Sequence, residues 1–162
     1  MPMNTNSLSA DIILAAVNAS SDGILITDAQ QPDNPIIFAN NAFYSLTGYS
    51  EAEVIGHNCR FLQGEQTRKA NVAALSAAVR ENRALRVTLV NYKKDGTLFH
   101  NELSVSPVLN EKDIVSHYIG VQHDVTNEIN QIQELEEEKA LTEKLNNLLL
   151  KHENACNLKK YI

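Results

Sequence analysis

Apolar positions cluster in GILITD (23–28), a run of strand length that ends in a turn, and IIFAN (36–40) is a second such run. The turn-rich AQQPDNP between them predicts a hairpin. Ahead of the first strand, Ser9 stands before Ile12, Ile13, Ala16 and Val17 at helical spacing, which predicts a short helix capped by Ser9. After the second strand, Phe43, Leu46 and Thr47 keep helical spacing and Gly48 supplies a stop. Ser50-Glu51-Ala52-Glu53 then has the form of a capping box, opening another short helix to Ile55. Residues 68–81 are alanine-rich, with Val72, Leu75 and Val79 on one helical face. The period changes to two in LRVTLVNYKKDGTLFHNELSVSPVL, two strands joined by KKDG, and SHYIGVQHDVT is a last strand after the polar break NEKD. Five strands, with short helices gathered between the second and third, predict an α+β fold built on an antiparallel sheet.

From about Asn127 the chain carries neither Gly nor Pro. Ile129, Ile132, Leu135, Leu141, Leu145, Leu148 and Leu149 mostly keep three- and four-residue steps, which predicts one long amphipathic helix. EEEK interrupts the pattern, so it falls short of a strict heptad seam. A helix docked on its own domain and a helix facing a partner both fit it.

A chain of 162 residues, 43% hydrophobic, holds one domain with its own core plus an extension. The formal net charge of -6 is wrong for partners held through phosphate contacts, so neither a nucleic acid nor an anionic membrane surface is expected. No apolar run reaches the length that spans a bilayer, and the N-terminus is uncharged until Asp11, without the basic start of a signal peptide. Two cysteines far apart in sequence make no disulfide framework. A soluble, cytoplasmic protein is expected.

The candidate chemistry begins with GHNCRFLQGEQT (56–67), where Cys59 stands beside Arg60 with Asn58 and Gln63 close by. Most free cysteines are packed as small hydrophobes. A zinc site needs C-x-x-C or H-x-x-x-H spacing, which is missing, so no metal is expected. A cysteine nucleophile of the protease kind needs a histidine in contact, and no local signature announces one. More informative are the amides Asn58, Gln63, Asn91, Asn101 and Gln122, each carrying a donor and an acceptor. Asn91 and Asn101 flank the KKDG turn on adjacent strands and Gln122 lies on the last strand, so the three can converge on one sheet face. Any single amide satisfies itself with backbone or water. Together, with Cys59 and Arg60, they point to a pocket for a planar, polar-edged ligand carrying a phosphate.

GHNCRFLQG resembles the signature of LOV (light, oxygen, voltage) domains, a flavin-binding branch of the PAS fold. ITDAQQPDNPIIFAN, FYSLTGYS, NYKKDGTLFHNELSVSPV and YIGVQHDVT agree with that family in order and spacing. The resemblance divides the chain into an N-terminal cap segment (1–18), a flavin-binding core (19–126) and a C-terminal signalling or dimerisation helix (127–162). It implies a five-stranded antiparallel sheet with short helices on one face. With no recognisable effector, the chain is similar to bacterial short LOV proteins, blue-light photoreceptors rather than enzymes. FMN is the implied cofactor, with riboflavin or FAD as minor occupants. By the resemblance, Cys59 forms a reversible photoadduct with flavin carbon C4a, and Arg60 holds the phosphate. Asn58 and Gln63 lie near the ribityl chain and ring, and Asn91 and Asn101 read the pyrimidine edge. Gln122 faces O4 and N5 as an amide switch, while Thr27, Val72, Leu103 and Val105 line the ring. Ser76 stands where many members place a second phosphate-binding arginine, leaving Arg68 or Lys69 as nearby substitutes. The implied partners are a second copy, through the terminal helices, and an unknown downstream protein. A cofactor-free PAS interaction module is the alternative. A flavin oxidoreductase is the weaker one, because no nicotinamide-binding G-x-G-x-x-G motif occurs.

Overall fold

A computed structural model describes residues 9–158, with only the backbone of 154–158 described, so the side chain of Cys156 lies outside it. Residues up to Val125 form one compact unit and residues from Thr126 a second. In the first, α1 (Ala10–Asn18) precedes β1 (Gly23–Asp28) and β2 (Ile36–Ala39). The short helices α2 (Asn41–Thr47) and α3 (Glu51–Val54), a 3-10 turn (Cys59–Leu62) and α4 (Lys69–Arg80) follow. The unit closes with β3 (Leu85–Tyr92), β4 (Leu98–Leu109) and β5 (Val115–Asp124). The second unit is α5 (Thr126–Leu158), 33 residues long.

All pairings are antiparallel, in the order β2-β1-β5-β4-β3. The first and last strands therefore meet in the middle, with Gly23 opposite Gln122 and Thr27 opposite Tyr118. That contact carries the largest sequence separation in the sheet, and no local pattern announces it. The termini of the elements follow the local rules. The Ser9 hydroxyl accepts from the Ile12 amide (3.4 Å), and Gly48 ends α2 at φ 77°, a left-handed position that glycine reaches without a Cβ clash. The Glu53 carboxylate accepts from the Ser50 amide (2.9 Å) and from Lys94 Nζ; the lysine contact is the largest of several that hold its pKa down to about 2. The second strand stops one residue early. Asn40 keeps an extended backbone but turns its side chain to cap α2, accepting from the Phe43 amide (3.0 Å).

One face of the sheet carries the helices, and its core falls into two clusters. Leu25, Ile36, Ala39, Phe43, Val54 and Leu62 form the first, with Cys59 packed against it. Leu89, Leu103, Val105, Val115 and Tyr118 form the second, covered by Leu75 and Val79 of α4. Between the 3-10 turn and α4, Gly64 passes so close to β3 that a Cβ there would run into the Tyr92 ring. Gly64→Ala is expected to lower stability by about 1–3 kcal/mol through that overlap. A urea midpoint equal to that of the native chain would show that the ring simply swings aside.

Candidate functional site

A cavity of about 550 Å³ lies between the two core clusters. That is the size of a site for a cofactor or drug-sized molecule. Leu25 and Cys59 border it from the first cluster, and Leu103, Val105 and Tyr118 from the second. Alternation along the strands explains the floor: Tyr118 and Gly120 share a face with Gln122, and Leu103 and Val105 share one with Asn101. Of the residues named from sequence, Thr27, Asn58, Cys59, Arg60, Gln63, Val72, Leu103 and Val105 line the cavity. Asn91, Asn101 and Gln122 do not line it. They are buried together on the sheet face, bonded to one another and reaching the cavity through Cys59.

The 3-10 turn aims the thiol. Side chains three apart eclipse in such a turn, so burying Leu62 in the first cluster directs Cys59 to the same side. Phe61, on another side, is held edge-on by Tyr49 at 4.9 Å between ring centroids. Asn58 caps the turn by accepting from the Arg60 amide (3.0 Å), and its Nδ2 donates to the Asp33 carbonyl (2.7 Å). Cys59 keeps some accessible surface where it borders the cavity, yet burial of its sulfur pushes the thiol up to about 12. At neutral pH it is a protonated thiol.

The three sheet amides form a chain. Asn101 Nδ2 donates both hydrogens, one to Asn91 Oδ1 (2.9 Å) and one to Gln122 Oε1 (3.0 Å). Gln122 Nε2 in turn points at Cys59 Sγ, 3.8 Å away. Asn91 Nδ2 uses one hydrogen on the Val90 carbonyl (3.2 Å). Asn101 Oδ1 and Thr27 Oγ1 are buried without a hydrogen-bond partner. A buried orphan acceptor costs about 1–3 kcal/mol, which makes these atoms binding capacity. The amides of Asn91 and Gln122 each retain one more N–H. The set reads donor, acceptor, donor, complementary to an imide edge of C=O, N–H and C=O.

At the opposite extreme of polarity, Arg60 donates twice to the Asp33 carboxylate, at 2.6 and 2.7 Å. Asp33 holds the Arg60 guanidinium charged beyond its usual range, and Arg60 lowers the Asp33 carboxyl in return. Asp33 and Asn34 are consecutive left-handed residues (φ 69° and 49°), a conformation Asp and Asn tolerate better than other side chains. No sequence signal pairs residues 27 apart through such a loop, so Asp33 escaped the reading of the sequence. Leu25, Tyr118 and Gly120 were within reach of it, by alternation from Thr27 and Gln122. Arg68 and Lys69, the nearby substitutes for the arginine replaced by Ser76, are not on the cavity wall; Ser76 and Arg80 are. Among the described residues no cluster of three His, Cys, Asp or Glu could hold a metal ion, and no helix is long and apolar enough to cross a membrane.

A PAS domain family model matches residues 21–127. The LOV domain of a blue-light activated histidine kinase from Erythrobacter litoralis EL346 is 38% identical with a TM-score of 0.63, over 65% of this chain and 96% of that one. The chain belongs to the LOV domains of the PAS superfamily. Among solved structures, this LOV fold also matches an RNA-binding light-oxygen-voltage receptor with a TM-score of 0.77 and 38% identity, over 86% of this chain and 40% of that one. A blue-light photoreceptor of Listeria monocytogenes is 47% identical over 133 residues, 82% of this chain and 51% of the relative. The LOV chain thus spans about half the length of that photoreceptor.

Proposed function

We propose that this LOV domain senses blue light by holding FMN in the cavity and presenting the Cys59 sulfur to its ring. One observation carries the reading: a buried protonated thiol on the cavity wall in contact with Gln122, the last member of a buried amide row that reaches the cavity through Cys59. The residues fit the group. Asn91, Asn101 and Gln122 would read the imide edge of its pyrimidine through their spare N–H groups and the orphan Asn101 Oδ1, Thr27, Val72, Leu103 and Val105 would supply apolar or small contacts, and Asn58, Arg60 and Gln63 would hold the chain that carries the phosphate. When bound, the flavin supplies visible absorption and a ring carbon, C4a, that accepts a sulfur under illumination and releases it in the dark.

The remaining chemistry belongs to the chain. Cys59 keeps its proton at neutral pH, so it delivers sulfur and proton together. Gln122 donates through Nε2 in the geometry described and accepts if its amide turns, because only its Oε1 can do so. That turn also disturbs the bond that Oε1 accepts from Asn101. Gln122 lies two residues from the end of β5 and four before the start of α5, which makes the strand end the outlet for the change. Ile132, Leu135, Leu141, Leu145 and Leu148 are exposed on α5 and support pairing with a second copy or with a downstream protein. In this reading the domain acts as the light sensor, and α5 is the element that carries the change onward. RNA binding stays with the relative named for it, since a net charge of -6 disfavours phosphate contacts here.

The test is an absorption spectrum of the purified full chain loaded with FMN, before and after blue light and then in darkness. Reversible loss of the visible band is expected, and an unchanged spectrum overturns the proposal. The amplitude of that loss should stay flat from neutral pH to about pH 10, below the thiol pKa of about 12. A step near pH 8.5, the range of a free cysteine, would mean that the sulfur is not enclosed as described. Stability follows the same group. The folded-state pKa lies above the unfolded one, so this contribution is complete below about pH 9 and is lost as pH rises through about 12.

A further inference from the structure

We propose that Arg80 is the second phosphate-recognising cation of this LOV domain and sets its preference for FMN over riboflavin, an inference that rests on the flavin reading above. Val72, Ser76 and Arg80 follow one another at four-residue steps along α4, and all three border the cavity. Val72 is half-buried, whereas Ser76 and Arg80 are exposed, so the stripe runs from the interior to the mouth. Long side chains on a helix lean back toward its N-terminus, which lays the Arg80 guanidinium over the turn that contains Ser76. The small serine leaves that turn clear.

The other cation at the mouth is already committed. Arg60 and Asp33 form a bidentate pair whose charges cancel, and a phosphate of charge -1.5 to -2 entering beside them meets the Asp33 carboxylate as well. Arg80 makes no ion-pair contact among the described residues: the neighbouring Glu81 bonds to Arg83 at 2.6 Å and feels the Arg80 charge only as a smaller, through-space attraction. Neither Arg68 nor Lys69 borders the cavity. Of the two arginines on the cavity wall, Arg80 is therefore the one without a hydrogen-bonded carboxylate, one turn from the serine.

The experiment measures Kd for FMN and for riboflavin on the full chain by quenching of flavin fluorescence. Riboflavin, which lacks the phosphate, is the internal reference. Arg80→Ala is expected to weaken FMN about tenfold and to move riboflavin little, so the FMN-to-riboflavin preference falls about tenfold. Arg80→Lys should keep part of the preference, and Ser76→Arg introduced alongside Arg80→Ala should restore it. An unchanged preference in Arg80→Ala, or an equal weakening of both ligands, overturns the assignment; the second outcome marks Arg80 as structural. Should Arg80→Ala fail to fold, the native chain decides. Its preference for FMN must then shrink with added salt, and a salt-independent preference is counter to the proposal. If the native chain binds neither flavin, the flavin reading itself falls, and this inference with it.

Discussion

Replacing Cys59 by alanine is expected to leave a yellow protein that no longer bleaches reversibly in blue light. Among the described residues the sulfur is the one thiol on the cavity wall, and its hydrogen-bond partner is the Gln122 amide. An amide cannot take a proton from a hydroxyl, so Cys59→Ser is expected to be silent as well: nothing beside residue 59 would activate serine as a nucleophile. The fold should survive both changes, because Cys59 is packed only at the border of its cluster, whose buried members are Leu25, Ile36, Ala39, Phe43, Val54 and Leu62. Absorbance recorded under a blue lamp and through a dark interval checks the result. Normal reversible bleaching in Cys59→Ala would remove the thiol from the mechanism.

The second large effect is on stability, at Asn40. This residue has no exposed surface and ties three segments together. Its Oδ1 accepts from the amides of Ile24 (2.8 Å) and Phe43 (3.0 Å), while Nδ2 donates to the carbonyls of Val17 (2.9 Å) and Asp22 (3.0 Å). The side chain thus caps α2, completes the start of β1 and anchors the end of α1. Asn40→Ala should lower stability by about 2–4 kcal/mol: about 1 for the lost cap, and the rest for backbone groups left buried without partners. Chemical denaturation followed by circular dichroism measures it. A loss below about 1 kcal/mol would mean that water replaces the amide at little cost. Because α1 is anchored here, the variant also tests whether the segment before the core depends on Asn40.

Local structure was legible wherever a short-range rule acts alone. The five strands, the caps at Ser9 and Gly48, the capping pair Ser50 and Glu53, and α4 all follow from spacing within a few residues. The 3-10 turn over Cys59–Leu62 did not, because four residues are too few to display a period. The site was legible in part for the same reason. Asn91, Asn101 and Gln122 could be brought to one face by counting along strands, and their buried chain of hydrogen bonds agrees with that count. Counting could not reveal that they lie behind the cavity wall rather than on it, nor that Asn101 Oδ1 is left without a partner.

The identity and order of side chains were therefore enough for the strands and α-helices, the convergence of the amides and the resemblance carried by GHNCRFLQG. These depend on covalent spacing and on the two periods of helix and strand. The meeting of β1 with β5, the pairing of Asp33 with Arg60, the enclosure that raises the Cys59 thiol and the place of Arg80 on the cavity wall depended on the folded chain. Each joins residues far apart in sequence or a charge to its surroundings. Such energies arise from distance and burial in space, which the linear order of residues does not contain.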